Sequence, residues 1–272
     1  MVVRELLVHL DSQPASARRL ELALSLAARL GARLIGMFAA ADTDVQGLSS
    51  QSRHELLART VAGAEPAFRE RAAAAGVAAE WLMKVPNDDV AVAAEVIHAA
   101  RLVDLAVLGQ FDAGSANGAV PPTLVEQTVM RSGRPVLVVP FAGHFKAVGR
   151  RVVIAWNGSR EAARAVNDAI PIVRDADEVA VLALSPSRRS RREPEPQPAG
   201  IVRHLAEHGI AAVPDRLVFQ ANEIDAAERL LSHLADFAAD LLVMGGWPRS
   251  GERNSLSTGV LARTTVPLLL SY

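Results

Sequence analysis

The chain has 272 residues, no cysteine and a formal net charge of -1, and half of it is hydrophobic. That length suits two ordinary domains, each able to bury its own core. Without cysteine there are no disulfides, thiolate nucleophiles or cysteine zinc sites, and the near-zero charge argues against a nucleic-acid partner, which requires a basic stripe.

The run from Leu6 to Leu10, closed by the turn-like Asp11-Ser12-Gln13-Pro14, predicts a fully buried strand. A helix follows with Leu20, Leu24, Ala27 and Ala28 on one face, ending at the natural cap Gly31. Leu34 to Phe38 predicts a second strand, and residues from about Ser50 to Ala75 a helix ending at Gly76. A third strand is expected around Glu80 to Val85, then a helix from Val90 to Leu102 and a fourth strand from Leu105 to Leu108. Thr123 to Arg131 reads as helix and Val136 to Val139 as a fifth strand. Short apolar strands alternating with helices imply an α/β fold, a parallel sheet covered on both faces.

The second half says nearly the same thing again. Glu5-Leu6-Leu7-Val8-His9-Leu10-Asp11 is echoed by Arg151-Val152-Val153-Ile154-Ala155-Trp156-Asn157. Asp104-Leu105-Ala106-Val107-Leu108-Gly109 is echoed by Asp240-Leu241-Leu242-Val243-Met244-Gly245, and Arg134-Pro135-Val136-Leu137-Val138-Val139 by Val266-Pro267-Leu268-Leu269-Leu270. Three matches in one order imply a duplicated domain, with copies at 1–143 and 149–272 joined by a short connector from Ala142 to Arg150. One stretch breaks the repeat: Arg188, Arg189, Arg191 and Arg192 precede Glu193-Pro194-Glu195-Pro196-Gln197-Pro198, where prolines and charges predict a surface loop. A basic patch is the alternative there, partly neutralised by the glutamates.

No apolar run approaches the ~18 residues of a membrane span, and the N-terminus has no basic segment before a signal-like apolar run, so a soluble, cytoplasmic protein is expected. The sequon Asn157-Gly158-Ser159 then has no role. Of the chemistry-bearing residues, His9 lies within a strand and is expected to bond a backbone group, and Asp88-Asp89 to cap a helix. His204 and His208 have helical i, i+4 spacing but no evident third ligand, so no metal site is assigned. Neither a phosphate-binding Walker sequence nor a G-x-S-x-G elbow is present, and no catalytic residue is assigned. Trp156 and Trp247 fall at matching strand ends of the second copy; core packing is expected, with an aromatic ligand wall as the alternative.

A strand ending in Asp or Asn, then a helix, then Asp-Leu-Leu-Val-Met-Gly with a polar loop and a final Val-Pro-Leu-Leu-Leu, resembles the universal stress protein family in its tandem form, over both copies almost end to end. The resemblance implies two Rossmann-like domains of the adenine nucleotide alpha hydrolase type, each with strand order 3-2-1-4-5. Ligands would bind at the carboxyl ends of the strands flanking the switch point, beside Asp11 or Asn157 and the loop after Gly109 or Gly245. It also implies pairing of the two copies into an intramolecular pseudo-dimer through their final strands, with a further homodimer as an added level.

Nucleotide-binding members carry G-x2-G-x9-G-[ST] after strand 4, where glycines let backbone N–H groups approach phosphate at a helix N-terminus. The first copy departs from this pattern. Gly109 stands, but Asp112 replaces the second glycine and Pro122 the third, and only Thr123 keeps the hydroxyl. Asp11, Gly109, Asp112, Pro122 and Thr123 thus make a degenerate site. In the second copy Gly245-Gly246-Trp247-Pro248-Arg249-Ser250-Gly251 comes closer, with Pro248 in place of a glycine. The span from Gly245 to Pro267 is shorter than that from Gly109 to Pro135, so counting forward ends the motif at Thr258-Gly259 and counting back ends it at Asn254-Ser255. Asn157, Gly245, Gly246, Pro248, Arg249, Ser250, Gly251, Ser255 and Thr258 are its candidate residues. Asn157 exchanges the family's carboxylate for an amide, a loss of about 1.5–3 kcal/mol for one charge-assisted hydrogen bond. Weak binding of ATP or another adenine nucleotide is expected, in the second copy, with no cofactor required. The reading is a non-enzymatic stress-response or regulatory protein that binds a small molecule. The alternatives are an ATP-binding sensor or slow nucleotide hydrolase, and a ligand-free protein-interaction module.

Overall fold

A computed structural model describes residues 2–40, 50–86, 88–114, 120–186, 197–219, 223–247 and 256–272. The Arg/Pro-rich stretch of the second copy falls largely outside them. The chain divides into two compact units, Val3–Lys146 and one holding Ala147–Tyr272. In chain order the first contains β1 (Glu5–Leu10), α1 (Pro14–Leu30), β2 (Arg33–Ala39), α2 (Ser50–Ala74), β3 (Ala79–Lys84), α3 (Asp89–Ala100), β4 (Leu105–Gly109), α4 (Leu124–Ser132) and β5 (Val136–Val139). The second contains β6 (Arg151–Trp156), α5 (Arg160–Val173), β7 (Glu178–Pro186), α6 (Pro198–Glu207), β8 (Val213–Phe219), α7 (Glu223–Asp236), β9 (Leu241–Gly245), α8 (Leu256–Arg263) and β10 (Leu268–Ser271).

Within the first unit the strands run β3-β2-β1-β4-β5, all neighbours parallel. Within the second they run β8-β7-β6-β9-β10, again all parallel. The central strands are buried on both faces, which is why they read as apolar runs instead of alternating. In each unit the first strand lies between the second and the fourth, so the direction of winding reverses beside it and opens a crevice at the strands' carboxyl ends. Asp11 and Asn157 each stand directly after that first strand.

Two helices show how the local signals work out. α1 closes on Gly31 in the left-handed conformation (φ 62°), a geometry that costs a glycine little. Its packed face carries Leu20, Leu22, Ala23, Leu24, Leu26 and Ala27, whereas Ala28, expected on that face, is exposed. Ala28 lies five residues beyond Ala23, and 3.6 residues per turn carries it round to the solvent side. α3 starts as expected: the Asp88 carboxylate accepts the Ala91 N–H at 2.8 Å and caps the helix.

The duplication extends to the hydrogen bonds that pin the sheets. Asp104, just before β4, accepts the N–H groups of Arg4 and Glu5 at 2.7 and 3.1 Å. Asp240, just before β9, does the same for Gly149, Arg150 and Arg151 at 2.9–3.2 Å. After the last helix of each unit, the Ser132 hydroxyl accepts the Arg134 N–H and the Thr264 hydroxyl the Val266 N–H, both at 3.1 Å. Each carboxylate therefore ties the start of one central strand to its neighbour. Asp104→Ala and Asp240→Ala should each lower stability by about 1.5–3 kcal/mol, the worth of charge-assisted hydrogen bonds. Urea unfolding followed by circular dichroism measures it, and an unchanged midpoint in both variants would refute the pinning role.

Candidate functional site

In the first unit a cavity of about 190 Å³ opens at the carboxyl ends of β1, β4 and β5 against the start of α1. Asp11, Arg18, Arg19, Gly109, Asp112 and Phe141 are among the residues lining it. Arg19 dominates the local chemistry. Its guanidinium pairs with the Asp11 carboxylate at 2.9 Å, both side chains only 2% exposed. Its Nε donates to the His9 carbonyl at 2.5 Å, and the second Asp11 oxygen accepts the Gln13 N–H at 2.8 Å. The carboxylate after strand 1 is thus held by the protein itself.

Gly109 is required by the same arginine. A Cβ there would run into Arg19 Nη1 and would lie 2.8 Å from a Val120 methyl. Next to it the Gln110 side chain accepts the Phe141 N–H at 3.3 Å and so ties down the backbone of a residue that lines the cavity. Asp112 accepts the Gly114 N–H at 2.9 Å, a local turn bond that keeps its carboxylate at the wall. Pro122 and Thr123 are both exposed and are not part of that wall; the Thr123 hydroxyl accepts from the Gln127 amide at 2.9 Å. Of the first-copy candidates, Asp11, Gly109 and Asp112 come together and Pro122 and Thr123 do not.

Beneath the crevice His9 is fully buried, its Nε2–H donating to the Ala39 carbonyl at 2.7 Å, the backbone bond expected of it. Burial lowers its pKa to about 4, with the Arg19 charge adding to the effect and Asp11 and the Ala39 bond opposing it.

The second unit builds the equivalent place differently. The Asn157 side chain accepts the Ser159 N–H at 3.0 Å, and Ser159 caps α5 by accepting the Ala162 N–H at 3.1 Å. Over Gly245 there is backbone, not a side chain: a Cβ would lie 2.7 Å from Ala162 N and 2.8 Å from the Glu161 carbonyl carbon. The repeat aligns Arg19 with Ala165, and without that long side chain α5 packs directly on β9. Gly246 donates its N–H to Ser271 at 2.7 Å, extending the strand pairing. Trp247 is buried, as core packing predicts, and its indole N–H donates to the Thr258 hydroxyl at 2.8 Å. Pro248, Arg249, Ser250, Gly251 and Ser255 lie outside the described residues.

Arg18, Arg19, Gln110 and Phe141 escaped the sequence reading. A signal for Arg19 was available: it is an arginine on the packed face of α1, and its counterpart in the repeat is an alanine. Among the described residues no group of three or more His, Cys, Asp or Glu could hold a metal ion.

Neither family models nor curated proteins match the chain. Solved structures do. A universal stress protein from Archaeoglobus fulgidus superposes with a TM-score of 0.73 over 98% of this chain and 95% of its own, at 17% identity. The fold is that of the universal stress proteins. A functionally unknown protein from Pseudomonas aeruginosa PAO1 aligns over 99% of this chain and 92% of its own, with a TM-score of 0.58 and 14% identity. The universal stress protein fold therefore spans the length of this chain.

Two outcomes follow from the buried charges. Arg19→Met leaves the Asp11 carboxylate buried without its cation, and should cost about 3–5 kcal/mol. Asp11→Asn in the same chain should restore most of the loss, and failure to restore it in urea titrations would show that Arg19 acts by packing alone. For His9 the unfolded ring protonates near 6.5 and the folded ring near 4. Between those values the unfolded chain carries the extra proton, so stability falls as the pH drops through that window. The full effect is on the order of 3 kcal/mol. His9→Gln keeps an N–H for Ala39 and should flatten this slope, measured as the unfolding midpoint at pH 7, 5.5 and 4.5.

Proposed function

We propose that the chain is a non-enzymatic stress-response protein of the tandem universal stress protein type, acting in the cytoplasm through a small molecule that it binds and does not convert. The observation that carries this reading is the first-unit cavity at the switch point, where α/β sheets of this kind take their ligands. Its wall favours binding over turnover. Asp11 is engaged by Arg19 and by the Gln13 N–H, and the His9 ring is tied to a backbone carbonyl below, so neither stands as a free base beside a ligand. No helix among the described residues is long and apolar enough to cross a membrane.

The second copy is read as a weak adenine-nucleotide site, with Gly245, Gly246, Arg249, Ser250 and Gly251 in the phosphate loop and Ser255 or Thr258 at its end. Three glycines and a hydroxyl-bearing terminus support it, while the amide of Asn157 and the missing N–H of Pro248 weaken it. No cofactor is required for the proposed role. A sensor or hydrolase would need a stronger cradle and a base, and an interaction module would need both crevices closed.

Mass spectrometry of small molecules released from the purified native chain tests the main reading. A retained compound displaced by substitutions at the cavity wall is the expected result. Absence of any retained compound, together with no binding from a fragment panel, would favour the interaction module. The nucleotide site has its own test in Pro248→Gly, which should tighten ATP binding by up to roughly a hundred-fold, since one charge-assisted bond is worth about 1.5–3 kcal/mol. Titration calorimetry reads this directly, and no heat in either protein removes the nucleotide reading.

A further inference from the structure

We propose that the first-unit cavity takes a small organic monocarboxylate, an acid with a compact apolar body whose carboxylate is held by Arg18. This rests on the reading of that cavity as a ligand site and names the chemistry it selects.

The charges of the wall decide the sign. Asp11 and Arg19 neutralise each other at 2.9 Å, and the Asp112 carboxylate keeps its charge but is turned to the Gly114 N–H. Arg18 is then the cation of the wall that no carboxylate among the described residues pairs with. Its Nη2 donates to the Phe141 carbonyl at 2.5 Å, which fixes the guanidinium plane. Its Nε is buried and has no protein partner among the described residues. The Nε is closed off from water, so a ligand in the cavity would meet this side chain at its Nη groups, and a carboxylate is the acceptor that matches a guanidinium best. Pro14 and Ala15 bring the N-terminal end of α1 to the same wall, adding partial positive charge.

The repeat supplies an internal control. Arg18 aligns with Arg164, whose Nε donates at 2.7 Å to the buried carboxylate of Asp168, one helical turn on. The residue matching Asp168 in α1 is Leu22. The first unit thus keeps the arginine and lacks the carboxylate that satisfies it in the second, at the point where a cavity opens.

Size and shape narrow the class. At about 190 Å³ the cavity is smaller than the ~300–1,000 Å³ of drug-sized pockets. Val120, Val139 and Phe141 give it an apolar side for a ring or a branched chain. Asp112 at the wall opposes a second negative charge, so dicarboxylates and phosphates are disfavoured relative to a monoanion.

The probes are benzoate, its neutral isostere benzamide and the dianion phthalate, titrated into the full chain by calorimetry and ligand-observed NMR. Benzoate should bind at least tenfold more tightly than either of the others. Arg18→Gln should weaken benzoate tenfold or more and leave benzamide unchanged, with thermal unfolding reporting that the variant is folded. Asp112→Asn, a second variant with the opposite expected sign, should tighten benzoate and reduce its advantage over phthalate. Benzamide binding as well as benzoate, or benzoate binding unaffected by Arg18→Gln and Asp112→Asn, overturns the inference while leaving a neutral-ligand cavity and the preceding reading intact. No binding by these probes or by a panel of neutral fragments overturns both.

Discussion

A guanidinium buried against a carboxylate governs how the first unit's crevice is built. Placing Arg19 and Asp11 out of water is expensive unless the pair is close and its remaining donors are matched. The protein meets that condition with the Asp11 contact, the His9 carbonyl and the Gln13 N–H, all at the end of one strand and the start of one helix. The consequence is steric as much as electrostatic. The arginine fills the space over Gly109, stands between α1 and β4, and leaves beside it the cavity that the rest of the wall shapes.

The two copies separate what the fold needs from what the site needs. Asp104 and Asp240 hold the central strands by the same hydrogen bonds, and Ser132 and Thr264 close the last helix-to-strand turn in the same way. Those positions serve any ligand or none. The crevice residues diverge: Arg19 against Ala165, Leu22 against Asp168, and a buried Trp247 against the partly exposed Phe111. Replacing one long side chain by a methyl lets α5 descend onto β9, so the glycine after the fourth strand meets helix backbone in one unit and an arginine in the other. A conserved scaffold with altered crevices is how one fold comes to carry different functions.

The strand-helix order, the parallel sheets, the cap at Asp88 and the backbone bond of His9 were legible in the sequence. Each depends on signals local to one element: an apolar run, a turn cluster, or a polar residue at a helix start. The reversal beside the first strand was implied by the family resemblance. Asp11 and Gly109, singled out through the family resemblance, stand at strand ends beside the switch point. The face of α1 was read less well. Hydropathy centred it on leucines and alanines and carried it to Ala28, whereas the packed face runs through Arg19.

The pattern of short apolar strands and amphipathic helices by itself determined an α/β fold with parallel sheets, because burial of periodic apolar faces leaves few other solutions. Only the tertiary structure decided the crevice. A buried charge violates the hydropathy rule and is tolerated solely because its partners arrive from elsewhere: Asp11 and the His9 carbonyl from the end of β1, and the Phe141 carbonyl, for Arg18, from beyond β5. Such partnerships have no period and no spacing along the chain. They exist once the helix is docked, and the shape of the space left over is set by how closely its side chains let it dock.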